Sequence, residues 1–240
     1  MSQLSAPYLR HSLADRVGEF ITLRRDIHAH PELAFEEHRT AALVARKLTD
    51  WGYDVATGLG GTGVVGTLRR GQARRSIGIR ADMDALPMAE ATGHAWSSQT
   101  PGVMHACGHD GHTATLLAAA RHIAERGDFD GTLHLIFQPA EEGAAGAVRM
   151  MDDGLFERFP CDAIFALHNM PGTPTGHFSF RTGATMASSD NVTITLQGVG
   201  GHGAMPPGVR SVGDTCGKCH MNEKANFLQS PHARLVDSGT

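Results

Sequence analysis

The chain has 240 residues, a net charge of −4 with histidine counted as neutral, and 41% hydrophobic residues. That length is enough to bury a full core, and the mild charge without a basic stripe argues against a nucleic-acid partner. No apolar run approaches the roughly 20 residues of a membrane span, and the opening MSQLSAPYLRHSLADRVGEF lacks the positive-then-apolar order of a signal peptide. A cytoplasmic protein with no membrane partner is therefore expected.

The first expected element is a helix over residues 13–30, where Leu13, Val17, Phe20, Ile21, Leu23 and Ile27 recur near helical spacing until Pro31 interrupts. A second helix is expected over 36–50, with Ala41, Leu43, Val44 and Leu48 on its apolar face and a stop at Trp51-Gly52. Gly58 to Gly66 reads as a glycine-rich turn region without the Gly-Lys-Ser/Thr signature of a phosphate loop. A short strand over Ile77–Ala81 then delivers Asp82-Met83-Asp84, and Gly111 to Arg126 forms a helix with Leu116, Leu117, Ala120 and Ile123 inward. Thr132–Phe137 is a strand, 142–151 the helix after it, and Ala163–Leu167 a strand ending at His168. Strands alternating with helices predict an α/β fold with a mostly parallel sheet, whose C-terminal strand ends form the ligand crevice. Asp84, Glu141, Glu142 and His168 all fall at such ends. Asn191–Leu196 alternates as a half-exposed strand and, with Gly198 to Ala204, opens a second domain.

The chemistry gathers around MHACGHDGH. Cys107 and His109 offer a soft sulfur and a borderline imidazole on a small-residue turn, and the carboxylates of Glu141-Glu142 add hard oxygen, a donor set suited to zinc or a neighbouring first-row ion. Cys107 has two other readings, a small buried hydrophobe or a catalytic nucleophile beside His105 and His109. The nucleophile needs no paired carboxylates, yet these are present, so metal binding is the stronger reading. Adjacent glutamates after a strand point in different directions, so one can bind metal while its neighbour takes a proton from metal-activated water. Taken singly, His168 and Asp84 are weak signals, as capping or core residues. His28 and His30 are expected to pack or cap, and His105 and His112 compete as ligands.

These motifs together resemble the M20 metallopeptidase family, in particular its amidohydrolases such as hippurate hydrolase, N-acyl-amino-acid hydrolases and auxin-conjugate hydrolases. The resemblance runs from LRRDIHAHPEL at 23–33 through RADMDALPMAE at 80–90, PGVMHACGHDGHTA at 101–114, IFQPAEEG at 136–143 and ALHNMPGTPTG at 166–176 to GGHGAMP at 200–206. It implies a zinc-peptidase-like catalytic domain with the start of a smaller α+β dimerisation domain, and a homodimer or homo-oligomer. It further implies two divalent ions (Zn, Mn, Co or Ni) held by Cys107, His109, Glu142 and His168, with Cys107 shared between them. Glu141 is then the general base, Asp84 the carboxylate that orients a ligand, and His202 a histidine projected toward the partner's site to steady an oxyanion. The implied reaction is hydrolysis of N-acyl or N-aroyl amino acids by metal-bound hydroxide.

The resemblance stops near Pro207, which stands where the family usually has histidine. The divisions expected are a catalytic domain over 1–187 without its C-terminal return segment and that segment's metal-binding histidine, the start of a lid domain over 188–208, and an aberrant tail over 209–240. Lys47 is the only lysine before Pro207, whereas Lys218 and Lys224 follow it, a shift expected of a frameshifted or truncated C-terminus. The alternative to an enzyme is accordingly a silent fragment that keeps partial metal binding. Cys216-Gly217-Lys218-Cys219-His220 fits the haem-attachment pattern but lacks the surrounding fold and exported context that such attachment needs.

Overall fold

Five apolar, β-rich runs pair into one sheet. They are β1 (Asp54–Leu59), β2 (Gly63–Arg70), β3 (Ser76–Asp82), β4 (Gly131–Gln138) and β5 (Ala163–Ala166), in the order β1-β2-β4-β3-β5. The computed structural model describes residues 14–184 and 192–195. These fall almost entirely in the first of two compact units, Met1–Ala187; of the second, Ser188–Thr240, only 192–195 are described. Strands β4, β3 and β5 are mutually parallel, as the alternation of strands and helices predicts, whereas β1 and β2 form a hairpin and β2 runs antiparallel to β4. The sheet is thus mixed, because the short connection at Gly60–Thr62 permits only an antiparallel return.

Period-two alternation sends neighbouring side chains to opposite faces. Val64, Leu133, Leu135 and Phe137 meet one core, while Val65 and Ile136 meet the other. The first face is covered by α1 (Val17–Ala29), α2 (His38–Asp50) and α3 (His109–Arg126), which contribute Phe20, Ile27, Leu43, Val44, Leu48, Leu116, Leu117 and Ala120. The second is covered by α4 (Gly146–Asp152) and α5 (Leu155–Arg158), through Met150 and Leu155. Helices on both faces of a sheet make the three-layer α/β architecture. Among the described residues no helix is long and apolar enough to cross a membrane.

Several local expectations are corrected. In α1 the buried line is Phe20 and Ile27, whereas Val17 and Ile21 are exposed because both lie round the same side of the helix from it. Leu13 lies outside the described residues. The glycine-rich stretch is only partly a turn: β2 begins at Gly63, and a Cβ on Gly66 would come 2.8 Å from Leu48 Cδ1, so this glycine lets α2 approach the sheet. The helix expected over 142–151 starts later, at Gly146. There a Cβ would meet Pro139 O at 1.8 Å, and the amide closes the preceding turn by donating to Ala140 O at 3.0 Å. Residues 192–195 form no strand and are exposed, since no described strand pairs with them; Asn191, Leu196, the 198–204 run and the whole 209–240 stretch lie outside the described residues. Every residue of β5 is exposed, with Phe165 at 58%, which sets it apart from β4, buried at every position but Thr132.

One buried imidazole sits away from the strand ends. His134 is 4% exposed on β4, with Nδ1 2.9 Å from the Thr67 hydroxyl, and burial pushes its pKa below the ordinary histidine range. A histidine kept neutral by the fold contributes fully above its unfolded value near 6.5, and that contribution is lost as pH falls below it. Urea denaturation of the metal-free chain should therefore show a larger loss of stability from about pH 8 to about pH 5.5 in the wild type than in H134Q.

Candidate metal centre

The parallel register places the ends of β3 and β4 side by side, with Asp82 opposite Gln138, while Arg80 pairs with Ala166 of β5. The chain leaving each strand carries site residues: Asp84 after β3, Glu141 and Glu142 after β4, His168 after β5. A fourth source is the N-terminus of α3. Gly108 is left-handed there (φ 87°), turning Cys107 and His109 toward the strand ends, and a Cβ on it would meet Asn169 Oδ1 at 2.7 Å. Glycine satisfies both demands.

His109 is the hub of the cluster. It is fully buried, and its Nδ1 lies 3.1 Å from Asp84 Oδ1. The second oxygen of Asp84 accepts the Glu142 backbone N–H at 2.8 Å, so one buried carboxylate sets both the imidazole and the glutamate turn. The other nitrogen of His109, Nε2, faces Asp82 Oδ2 at 3.6 Å and Glu141 Oε2 and Glu142 Oε1 at 3.9 Å each, with no hydrogen-bond partner. Glu142 Oε1 is likewise buried and unpaired. Cys107 Sγ lies 3.4 Å from His168 Nε2, whose Nδ1 is 2.6 Å from Asn169 O. Donor atoms of Cys107, His109 and Glu142 all lie within 4.8 Å of one another.

The electrostatics of this set suit a bound cation. Burial, reinforced by Glu142 and Glu141, pushes the Cys107 thiol up to about 12, so a thiolate forms here only if positive charge joins it. Burial also works against charge on His109, but the Asp84 hydrogen bond and Asp82 prevail and raise its pKa. Burial likewise opposes ionisation of Asp84, yet the His109 bond and the Glu142 and Glu141 amides hold its carboxyl below the usual range. Buried lone pairs with no partner, one soft sulfur, one imidazole with its far nitrogen anchored, and carboxylate oxygens suit a divalent transition ion.

A second set of donors, Asp82, His109, His112 and His168, also falls within 4.8 Å and shares His109 with the first. Here the lone pairs are largely used. His112 Nδ1 lies 2.6 Å from Asp82 Oδ1, its Nε2 faces the Asn169 side chain and accepts the Asn169 N–H at 3.0 Å, and Asp82 Oδ2 accepts Arg80 Nη1 at 2.7 Å. Burial opposes ionisation of Asp82, but His112 and Arg80 outweigh it and hold the carboxyl at about 2. From the sequence His112 is only a competing ligand, and Asp82 and Asn169 have no expected part. The signals were the three-residue step from His109 to His112 on one helix face and the two-residue step between Asp82 and Asp84.

Of the expected site residues, Cys107, His109, Asp84, Glu141, Glu142 and His168 converge, while His202 lies outside the described residues, as do Cys216, Cys219, His220 and His232. His105 and His28 stand apart from both donor sets. His105 is 3% exposed with neither ring nitrogen paired, and His28 packs between Asp110 and Glu90, at 3.0 and 3.3 Å.

Fold and site together define an α/β protein with a cluster of side chains that could hold a metal ion at the C-terminal ends of its parallel strands. The chain belongs to peptidase family M20/M25/M40, whose model matches residues 78–233. It is 52% identical over 194 residues to a hippurate hydrolase of Campylobacter jejuni, covering 81% of this chain and 50% of that protein. It is also 42% identical over 210 residues to IAA-amino acid hydrolase ILR1-like 5 of Arabidopsis thaliana, covering 86% and 47%. The YXEP protein of Bacillus subtilis, a dinuclear metal-binding peptidase from the M20 family, superposes with a TM-score of 0.63 at 40% identity, over 66% of this chain and 44% of that one. The chain therefore spans about half the length of the curated relatives it matches.

Replacing Gly108 tests the turn directly. Gly108→Ala should destabilise the fold by about 1–2 kcal/mol from the left-handed backbone alone and displace Asn169, measured as a lower urea midpoint with an unchanged slope.

Proposed function

We propose that the protein is a metal-dependent amidohydrolase that cleaves the amide bond of N-acyl or N-aroyl amino acids, with hippurate-like compounds as the substrate class. Two divalent cations (zinc, manganese, cobalt or nickel) are the proposed cofactor, which Cys107, His109, Glu142 and His168 would hold. The observation that carries this reading is the pair of buried, unpartnered atoms, His109 Nε2 and Glu142 Oε1, beside the Cys107 sulfur. Substrate class is supported by the likeness to the Campylobacter hippurate hydrolase.

A cation bound there supplies Lewis acidity, polarising an amide carbonyl and acidifying water. The protein's own groups do the rest. Asp84 holds His109 Nδ1 so that the Nε2 lone pair faces the cluster, and through the Glu142 amide it fixes the turn that follows β4. Glu141 keeps its side chain 40% exposed while its carboxylate lies 3.9 Å from His109 Nε2. That exposure and distance support Glu141 as the group that would accept a proton from water and return it to the leaving amine. Glu142, less exposed at 23%, is left for ligation.

A second reading, metal binding without turnover, is favoured by the exposure of the whole of β5, the strand that leads to His168. Both readings meet one test. The purified chain is loaded with zinc, manganese or cobalt, its metal content measured, and release of glycine from hippurate and of amino acids from N-acetyl substrates followed. Turnover with bound metal is the expected result, with Glu141→Gln lowering kcat about 10²–10⁴-fold at unchanged metal content and Cys107→Ala or Glu142→Ala losing metal. Full metal content without turnover on any of these substrates favours the second reading, and no metal uptake sinks both.

A further inference from the structure

Three of the four chain segments that carry the metal-site side chains, all but the one after β5, are held from outside by one short stretch, residues 24–40. After β3, the Ala85 N–H donates to Glu32 O at 2.8 Å. At the start of α3, Asp110 lies 3.0 Å from both Arg24 Nε and His28 Nδ1. After β4, the Ala140 N–H donates to Glu37 Oε1 at 2.8 Å. The last of these contacts is the most demanding. Glu37 is fully buried, as is Ala140, and the two lie 103 residues apart in the chain.

Glu37 stands at the N-cap of α2, where a carboxylate would ordinarily accept the first free amides of its own helix. It makes no such bond. One carboxylate oxygen accepts the Thr62 hydroxyl and the other accepts Ala140 N–H, so the side chain turns away from its helix toward the turn that bears Glu141 and Glu142. That turn needs holding. Ala140 is left-handed at φ 52°, Gly143 and Ala145 follow at 75° and 56°, and the Ala140 carbonyl is tied to Gly146 N–H. A left-handed alanine persists only where its surroundings over-determine it. A buried carboxylate, in turn, is tolerated only where donors satisfy it.

We infer that Glu37 is a positioning residue of the metal centre, its carboxylate fixing the Ala140 amide and thereby aiming Glu141 and Glu142. This rests on the metal-centre reading above. Zinc affinity of the full chain is measured by chelator competition, and cobalt(II) absorption reports ligand geometry. E37L, similar in size but with no acceptor, should weaken zinc binding about 10–100-fold and alter the cobalt spectrum, the range seen when groups that orient ligands are removed. E37Q, which keeps the acceptor, should stay within about threefold of wild type on the same scale. Y53F serves as the stability control, since it removes the buried Tyr53 hydroxyl bond to Ala120 O (2.8 Å), far along α3 from the site-bearing turns. It should lower the unfolding midpoint and leave affinity and spectrum unchanged.

If E37L does not fold, T62V takes its place. It frees one side of Glu37, and a smaller loss of zinc affinity with a shifted cobalt spectrum is expected. Wild-type affinity in the acceptor-free or T62V variant, an E37Q loss equal to that of E37L, or an equal loss in Y53F overturns the inference. Failure of the wild type to bind zinc or cobalt instead overturns the metal centre itself.

Discussion

Asp84 is the constraint around which the site is arranged. Its two oxygens serve partners from different parts of the chain, His109 at the start of α3 and the Glu142 amide after β4. A buried carboxylate with both oxygens engaged has little freedom to move, because loss of either bond leaves charge in a poorly solvating interior. The direction of the His109 Nε2 lone pair and the path of the glutamate turn are therefore set by one side chain. The atoms they leave unpaired lie beside a thiol that burial pushes toward its protonated form, and this makes the cluster a candidate cation site.

The sheet explains why such a convergence is possible. β3 lies between β4 and β5, all three parallel, so their chain exits share one edge, and α3 begins against that edge. Each exit places its acidic or imidazole group within a few residues of the strand end, before the chain turns away. Residues 24–40 then close the arrangement from behind. Burial of α1 and α2 against the sheet stabilises the fold, and the same segment satisfies backbone amides of two of the loops that bear the site. Packing and site geometry are coupled through these few hydrogen bonds.

Much of this was legible in the residues. The helices α1, α2 and α3 and the strands β3, β4 and β5 follow from apolar spacing, which a solvent-facing helix or a half-covered strand cannot conceal. The glycine run was harder. Gly66 reads as a turn by composition, yet it pairs within β2 with Val55 and Leu135, and it is glycine because Leu48 occupies the space a side chain would need. The delay of α4 to Gly146 is similar: the left-handed turn before it is closed by contacts with Pro139 and Ala140 that no local pattern reveals.

For the site, donor types alone marked Cys107, His109, Glu141 and Glu142, because sulfur, imidazole and carboxylate have metal affinities that do not depend on fold. Asp84 and His168 gained meaning from their positions after strands. What only the tertiary structure decided is which lone pairs remain free. His112 and Asp82 have the same chemical types as the candidate ligands, but they are largely occupied by each other, by Asn169 and by Arg80. Glu37, an ordinary helix-start carboxylate in the sequence, turns out to hold an amide 103 residues away. Residue type determines what an atom can bind. Whether that atom is free to bind it depends on neighbours that only folding brings within hydrogen-bond reach.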